Sequence, residues 1–170
     1  MSHLNTLFHS VDLGANLTLK NRIIMAPLTR SMADNDLVPT EAMAAYYGRR
    51  ADAGLIITEA TLVSQDGQGY PNGPGLYTQA QIDGWKNVTQ RVHQNGGKIF
   101  AQIWHTGRVS HSIYHNGELP MAPSAVPILG HGHVPLTENL NYETPREITV
   151  AEIKRVQNQF AVAAQNAIEA

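Results

Sequence analysis

Three short stretches of this 170-residue sequence end in residues that could handle a ligand without using charge. They are Ala26-Pro27-Leu28-Thr29, Thr58-Glu59-Ala60-Thr61 and Gln102-Ile103-Trp104-His105. Thr29 offers a hydroxyl, Gln102 an amide that both donates and accepts, and Ala60 only its backbone. Glu59 is the one carboxylate among them. The paired acids of a glycosidase are absent, as is any Ser/His/Asp order typical of a hydrolase. Each residue also has a plain structural reading. Thr29 could satisfy a turn, Gln102 could face outward from a strand, and Trp104 could be ordinary packing. Tyr70 sits in a Gly/Pro-rich loop, where a surface aromatic is unremarkable in chemical terms.

The histidines suggest different chemistry. His105, His111, His115, His131 and His133 crowd one region, and His131-Gly132-His133 brings two imidazoles close in sequence. No acidic third ligand is fixed nearby and no H-E-x-x-H pattern occurs, so no metal site is expected. These histidines are read as solvated or loop-packing residues. Arg30 and Arg108 are expected to pair with carboxylates. Met25, Met32, Met43 and Met121 are read as packing residues, and Tyr46-Tyr47 as helix-to-sheet packing.

The elements that must position these residues alternate between strand and helix. Ile23–Ala26 is a short apolar run ended by Pro27. Thr40 then caps a helix carrying Met43, Tyr46 and Tyr47 at helical spacing, with Gly54 as its expected stop. Leu55–Thr58 reads as a strand buried on both faces. Thr78-Gln79-Ala80-Gln81 is a capping box that opens a helix with Ile82, Trp85, Val88 and Val92 on one side. Lys98–Trp104 is a third strand. A long segment, about 105–148, reads as loop. Thr149-Val150-Ala151-Glu152 is a second capping box, and Ile153, Val156, Phe160 and Ala163 or Ala164 form the stripe of a third helix. Ahead of all this, Gly14-Ala15-Asn16 sits between two short apolar runs, which reads as a hairpin over about 8–20. Such alternation implies parallel β/α units, in either a doubly wound sheet or part of a (β/α)8 barrel. In both, function lies at the C-terminal ends of the strands, where the three stretches converge. A neutral rim of this kind suits a flat ligand with a polar edge and apolar faces, such as an isoalloxazine ring.

Composition narrows the partners. The sequence is 42% hydrophobic and 15% charged, with a net charge of −2. That gives no reason to expect nucleic acid or an anionic membrane. It has no cysteine, which excludes disulfides and thiolate chemistry. No signal peptide and no membrane span are visible, and the cytoplasm is the expected compartment.

The long motifs carry a resemblance. Asn21-Arg22-Ile23-Ile24-Met25-Ala26-Pro27-Leu28-Thr29-Arg30 resembles the first-strand motif of Old Yellow Enzyme-type flavoproteins. Ala53–Thr61 and Gln102-Ile103-Trp104-His105-Thr106-Gly107-Arg108 resemble the second and third, and Gly69-Tyr70 with Pro74-Gly75 resembles the intervening loop. The similarity is greatest to the bacterial branch that reduces N-ethylmaleimide, nitroesters and enones. It implies an α/β fold: the N-terminal portion of a (β/α)8 TIM barrel with a small β-hairpin, a single partial domain over 1–170 with the first three β/α units at about 22–170. It implies FMN as cofactor and NADPH or NADH as reductant, acting by ping-pong hydride transfer on an activated alkene or nitro compound. Pro27 and Leu28 would contact the flavin, and Thr29 would donate to its C4 carbonyl. Ala60 would present a backbone amide, and Gln102 would pair with the pyrimidine edge. Tyr70 and Trp104 would wall the substrate pocket. The family's substrate-binding His/His or His/Asn pair, its proton-donating Tyr and its FMN phosphate-binding groups are not in this sequence. The chain is therefore expected to be an N-terminal half, inactive alone and open to a complementary C-terminal half as partner.

Overall fold

In a computed structural model, which describes residues 3–129 and 140–170, the expected hairpin forms first. β1 (Val11–Asp12) and β2 (Thr18–Leu19) pair antiparallel, Val11 opposite Leu19. The chain reverses through Gly14, Ala15 and Asn16, all at positive φ. Asp12 steadies the turn by accepting from the Gly14 N–H at 2.9 Å.

The central sheet has the order β3 (Ile24–Met25), β4 (Leu55–Leu62), β5 (Ile99–Trp104), and both pairings are parallel. β3 pairs over two residues only, because Pro27 brings no N–H to a ladder. Two helices make the crossovers, α1 (Glu41–Gly48) and α2 (Gln79–Gln94), and α3 (Val150–Glu169) follows β5.

One face of the sheet carries the core. Ile56, Tyr47, Val88 and Val92 are fully buried there with Trp85, whose indole N–H donates to the Gly75 carbonyl at 3.1 Å. Each such aliphatic side chain contributes about 1.5–3 kcal/mol by leaving water. Ile99, Ala101 and Ile103 of β5 pack against the same cluster. Alternation therefore sends Phe100, Gln102 and Trp104 to the opposite face. That face is uncovered: Phe100 and Ile24 are each 49% exposed.

Both capping boxes form. Thr78 accepts from the Gln81 N–H while Gln81 accepts from the Thr78 N–H, and Thr149 and Glu152 do the same at α3. Four expectations are corrected. α1 stops at Gly48 rather than Gly54, and Arg49–Gly54 forms turns. Gly54 serves close approach instead: its N–H donates to the Ile23 carbonyl, and a Cβ there would lie 2.1 Å from the Asn21 carbonyl oxygen. Thr40 takes the N-cap conformation, but its hydroxyl donates to the Met32 carbonyl and accepts no bond from the helix-end amides. The 105–148 segment is not all loop: β6 (Met121–Ala122) and β7 (Arg146–Glu147) pair in parallel within it. In α3 only Ala163 of the expected stripe is buried, with Val156 and Phe160 half-buried and Ile153 42% exposed.

Two outcomes follow from these contacts. Gly54→Ala should lose about 1–3 kcal/mol or more of stability, because backbone rather than a flexible side chain must move, and a lowered urea midpoint would show it. Glu152 accepts two bonds from Arg146, at 2.6 and 3.1 Å, and these hold its pKa at about 2 against an ordinary 4.5. A lowered carboxylate pKa stabilises the fold fully above 4.5, and that contribution fades as pH falls toward 2. E152Q should therefore flatten the fall in thermal stability across that window, and an unchanged slope would refute the assignment.

Candidate active site

Ile57 pairs with Phe100, but the next pair along the ladder is Ala60 with Gln102. Two residues of β4, Thr58 and Glu59, thus oppose the single Ala101 of β5, which is a β-bulge. Threonine hydroxyls hold it. Thr58 Oγ1 accepts from the Gln102 N–H at 3.0 Å and donates to the Glu59 carbonyl at 2.8 Å, and Thr61 Oγ1 donates to the same carbonyl at 2.9 Å. The bulge puts Ala60 directly beside Gln102 on the open face of the sheet.

The expected site residues gather at this end. Met25 pairs with Ile56, and Thr29 follows past the end of β3, immediately before the Arg30 and Ser31 amides that bond Glu59 of β4. Thr29 and Gln102 are exposed, and among the described residues neither side chain has a hydrogen-bond partner. Pro27 is half-buried, Leu28 is 55% exposed and Ala60 is 4% exposed. Trp104, two residues past Gln102, stacks obliquely on Tyr70 with ring centroids 5.4 Å apart. Its indole Nε1 is buried without a hydrogen-bond partner among the described residues, as is Nε2 of His105. A cavity of about 270 Å³ lined by Arg30, Tyr46 and Glu59 adjoins the rim, while Leu28, Thr29 and Gln102 are exposed, so the rim itself is an open shelf.

Beneath the shelf lies a group that reading the sequence left without a role. Glu59 is 1% exposed. Its Oε2 accepts from the Arg30 and Ser31 amides at 2.9 and 3.2 Å, and its Oε1 accepts from the Tyr47 hydroxyl at 3.1 Å. The Tyr47 oxygen in turn accepts from the Glu59 N–H at 2.8 Å. Burial raises the carboxyl's pKa, opposed by these donors and by the Arg30 charge. Burial and the neighbouring carboxylate raise Tyr47 strongly. Tyr47 is thus core packing, as expected, and also a hydrogen-bonding partner of the strand. The signal available was a lone acid inside an otherwise apolar run.

The remaining polar residues bear out some expectations and correct others. Neither Arg30 nor Arg108 forms an ion pair among the described residues. Arg30 lies over the Tyr46 ring at 5.6 Å, and Arg108 donates to the Val126 carbonyl and Ser124 Oγ. The reason is local: the carboxylate beside Arg30, Glu59, is already taken by backbone amides, and the Arg108 guanidinium is engaged by a carbonyl and a hydroxyl. Met43 and Met121 are buried, but Met32 is 53% exposed. His105 and His115 have lowered pKa values through burial, and His111 Nδ1 lies 3.6 Å from Glu143. His131 and His133 lie outside the described residues. Among the described residues no cluster has the makings of a metal site, and no helix is long and apolar enough to cross a membrane.

An isoalloxazine edge fits this shelf. It needs an amide that both donates and accepts, a hydroxyl, and no facing carboxylate, with apolar walls nearby. Gln102, Thr29 and Ala60 supply the first three conditions, and Leu28, Phe100 and Trp104 the last. Residues 6–170 match the model of the NADH:flavin oxidoreductase / NADH oxidase family. The chain belongs to that family, the Old Yellow Enzyme flavoproteins.

Its relatives agree. It is 41% identical to flavin oxidoreductase hxnT of Emericella nidulans over 100% of this chain and 44% of that protein. It is also 41% identical to 12-oxophytodienoate reductase 7 of Oryza sativa subsp. japonica, over 89% of this chain and 39% of that one. The Old Yellow Enzyme homologue from Zymomonas mobilis superimposes with a TM-score of 0.89 at 47% identity, over 96% of this chain and 45% of that chain. Morphinone reductase in complex with tetrahydroNAD gives 0.87 at 44% identity, over 95% and 46%. The chain spans less than half the length of each of these relatives. As an Old Yellow Enzyme-type chain it carries the N-terminal portion of the TIM barrel, three β/α units and the small hairpin.

Proposed function

We propose that residues 1–170 form one flavin-facing unit of a cytoplasmic FMN-dependent oxidoreductase that uses NADPH or NADH to reduce activated C=C bonds in enones and maleimides, and nitro compounds. The observation that carries it is the pairing of Ala60 with the exposed Gln102 at the bulge of β4, with Thr29 one residue before the Arg30 amide that bonds Glu59 of the same bulge. When bound, FMN supplies hydride chemistry, taking a hydride from the nicotinamide and giving it to the substrate's electron-poor carbon. The chain's own residues bind and orient. Gln102 reads the pyrimidine edge with both ends of its amide. Thr29 points a hydroxyl at the carbonyl where negative charge accumulates, and Ala60 adds a backbone amide beside it. Pro27 and Leu28 pack against the ring. Tyr70 and Trp104 form the wall where nicotinamide and an N-ethylmaleimide-like substrate take turns.

The same shelf explains why this chain alone is proposed to be inactive. Its carboxyl, Glu59, is buried and engaged, so it is not free to protonate a product carbon. The uncovered face around Ile24 and Phe100 favours a second reading in which the chain acts only with a complementary C-terminal half as partner.

The test is to titrate FMN against the chain with and without a separately expressed C-terminal half of a related enzyme, following flavin fluorescence. Binding is expected only in the mixture. There, Q102A should weaken it about three- to tenfold, as for one or two neutral hydrogen bonds. T29A should slow nicotinamide oxidation by about tenfold or more, as for a bond to a group gaining charge. A mixture that retains no flavin would overturn the reading.

A further inference from the structure

The open shelf depends on a residue that never reaches it. Thr29 follows a two-residue strand and a proline, so no sheet ladder holds its backbone. Immediately after it, the Arg30 and Ser31 amides converge on one oxygen of Glu59. Ser31 has a φ of 53°, a setting that a residue with a Cβ enters only when its surroundings enforce it. Among the described residues, that carboxylate is the acceptor of both amides. Glu59 is itself held from two further sides. The bulge fixes its backbone through Thr58 and Thr61, and the Tyr47 hydroxyl engages both its Oε1 and its N–H.

We propose that Glu59 is a positioning residue for the flavin edge: by gathering the Arg30 and Ser31 amides onto the β4 bulge it sets where Thr29 projects beside Ala60. This rests on the proposed flavin site, but its geometry is a property of the chain itself. Charge-assisted bonds to a buried carboxylate are roughly twice as strong as neutral ones, and the two amides share a single acceptor. Removing that acceptor leaves two amides unpaired and frees the segment that carries Thr29.

Two variants separate positioning from plain stability. Glu59→Met keeps length and removes the acceptor, whereas Glu59→Gln keeps one acceptor oxygen. In the 170-residue chain, E59M should speed hydrogen exchange at Arg30 and Ser31 by about tenfold or more, as for loss of a bond to a charged group. Val88 and Val92, in the core, should be unaffected, and E59Q should fall between E59M and the wild type. In the FMN-binding mixture described above, E59M should shift the flavin reduction potential in the same direction as T29A, with E59Q close to wild type. Unchanged exchange at Arg30 and Ser31 would overturn the proposal, and so would faster exchange with a wild-type potential. If the wild-type mixture binds no flavin, the functional reading fails while the exchange result still decides whether Glu59 orders the segment.

Should E59M also lose protection at Val88 and Val92, the wild-type chain decides the matter. Arg30, Arg49, Tyr46 and Tyr47 are the charged or titratable groups that surround the Glu59 carboxyl. Burial raises the pKa of the Glu59 carboxyl, so the Arg30 and Ser31 amide proton shifts should move together, with a midpoint above the ordinary 4.5. Amide shifts that stay flat through that range would refute the contact.

Discussion

One extra residue in β4 governs the geometry of the shelf. Side chains alternate along a strand, so inserting a residue reverses which face every later side chain occupies. With the register that holds at Ile57 and Phe100, Gln102 would face Glu59 across the ladder. The bulge places Ala60 there instead and turns the carboxylate sideways to Tyr47 and the Arg30–Ser31 amides. A threonine hydroxyl takes the Gln102 N–H in place of a strand carbonyl, so the irregular ladder loses no hydrogen bond at that point. The chemical character of the rim therefore follows from a backbone irregularity as much as from residue types.

The two faces of the sheet have different energetics. The helix face is closed by Trp85, Tyr47, Val88 and Val92, and it accounts for the order of the three β/α units. The other face leaves Ile24, Phe100 and Leu28 in contact with solvent. At about 25 cal/mol per Å² of apolar surface, covering these side chains is a substantial driving force for association. That force points inward, toward the space a barrel encloses. A flat cofactor laid on the shelf and further strands closing around it would cover the same face.

Much of this was legible in the sequence, and the missing parts share a cause. The capping boxes at Thr78 and Thr149 and the stripe from Ile82 to Val92 are local patterns, and both helices start where those patterns say. The strand order follows from alternation and from motif resemblance. The stop at Gly48 was not legible, because a glycine at position 54 reads the same whether it caps a helix or lets Asn21 approach. Nor was the β6–β7 pair, since two-residue strands have no period to detect. Of the site, the residue types were legible and their mutual placement was not. The bulge depends on register between strands more than forty residues apart, and Glu59 looks in sequence like one more rim residue.

That last difference matters for charge. A ring that gains negative charge at its pyrimidine edge is destabilised by any carboxylate facing it. Two unit charges about 5 Å apart interact by about 3 kcal/mol at an effective dielectric of 20, more than the hydroxyl of Thr29 could return. A rim with Glu59 beside Gln102 would oppose the chemistry proposed for it. Removing the acid altogether would solve the repulsion but leave the Arg30 and Ser31 amides without an acceptor. The observed arrangement satisfies both demands: the carboxylate is kept, buried with three donors, and turned away from the shelf. The negative charge then tightens the backbone that presents Thr29, while the surface offered to the ligand stays neutral.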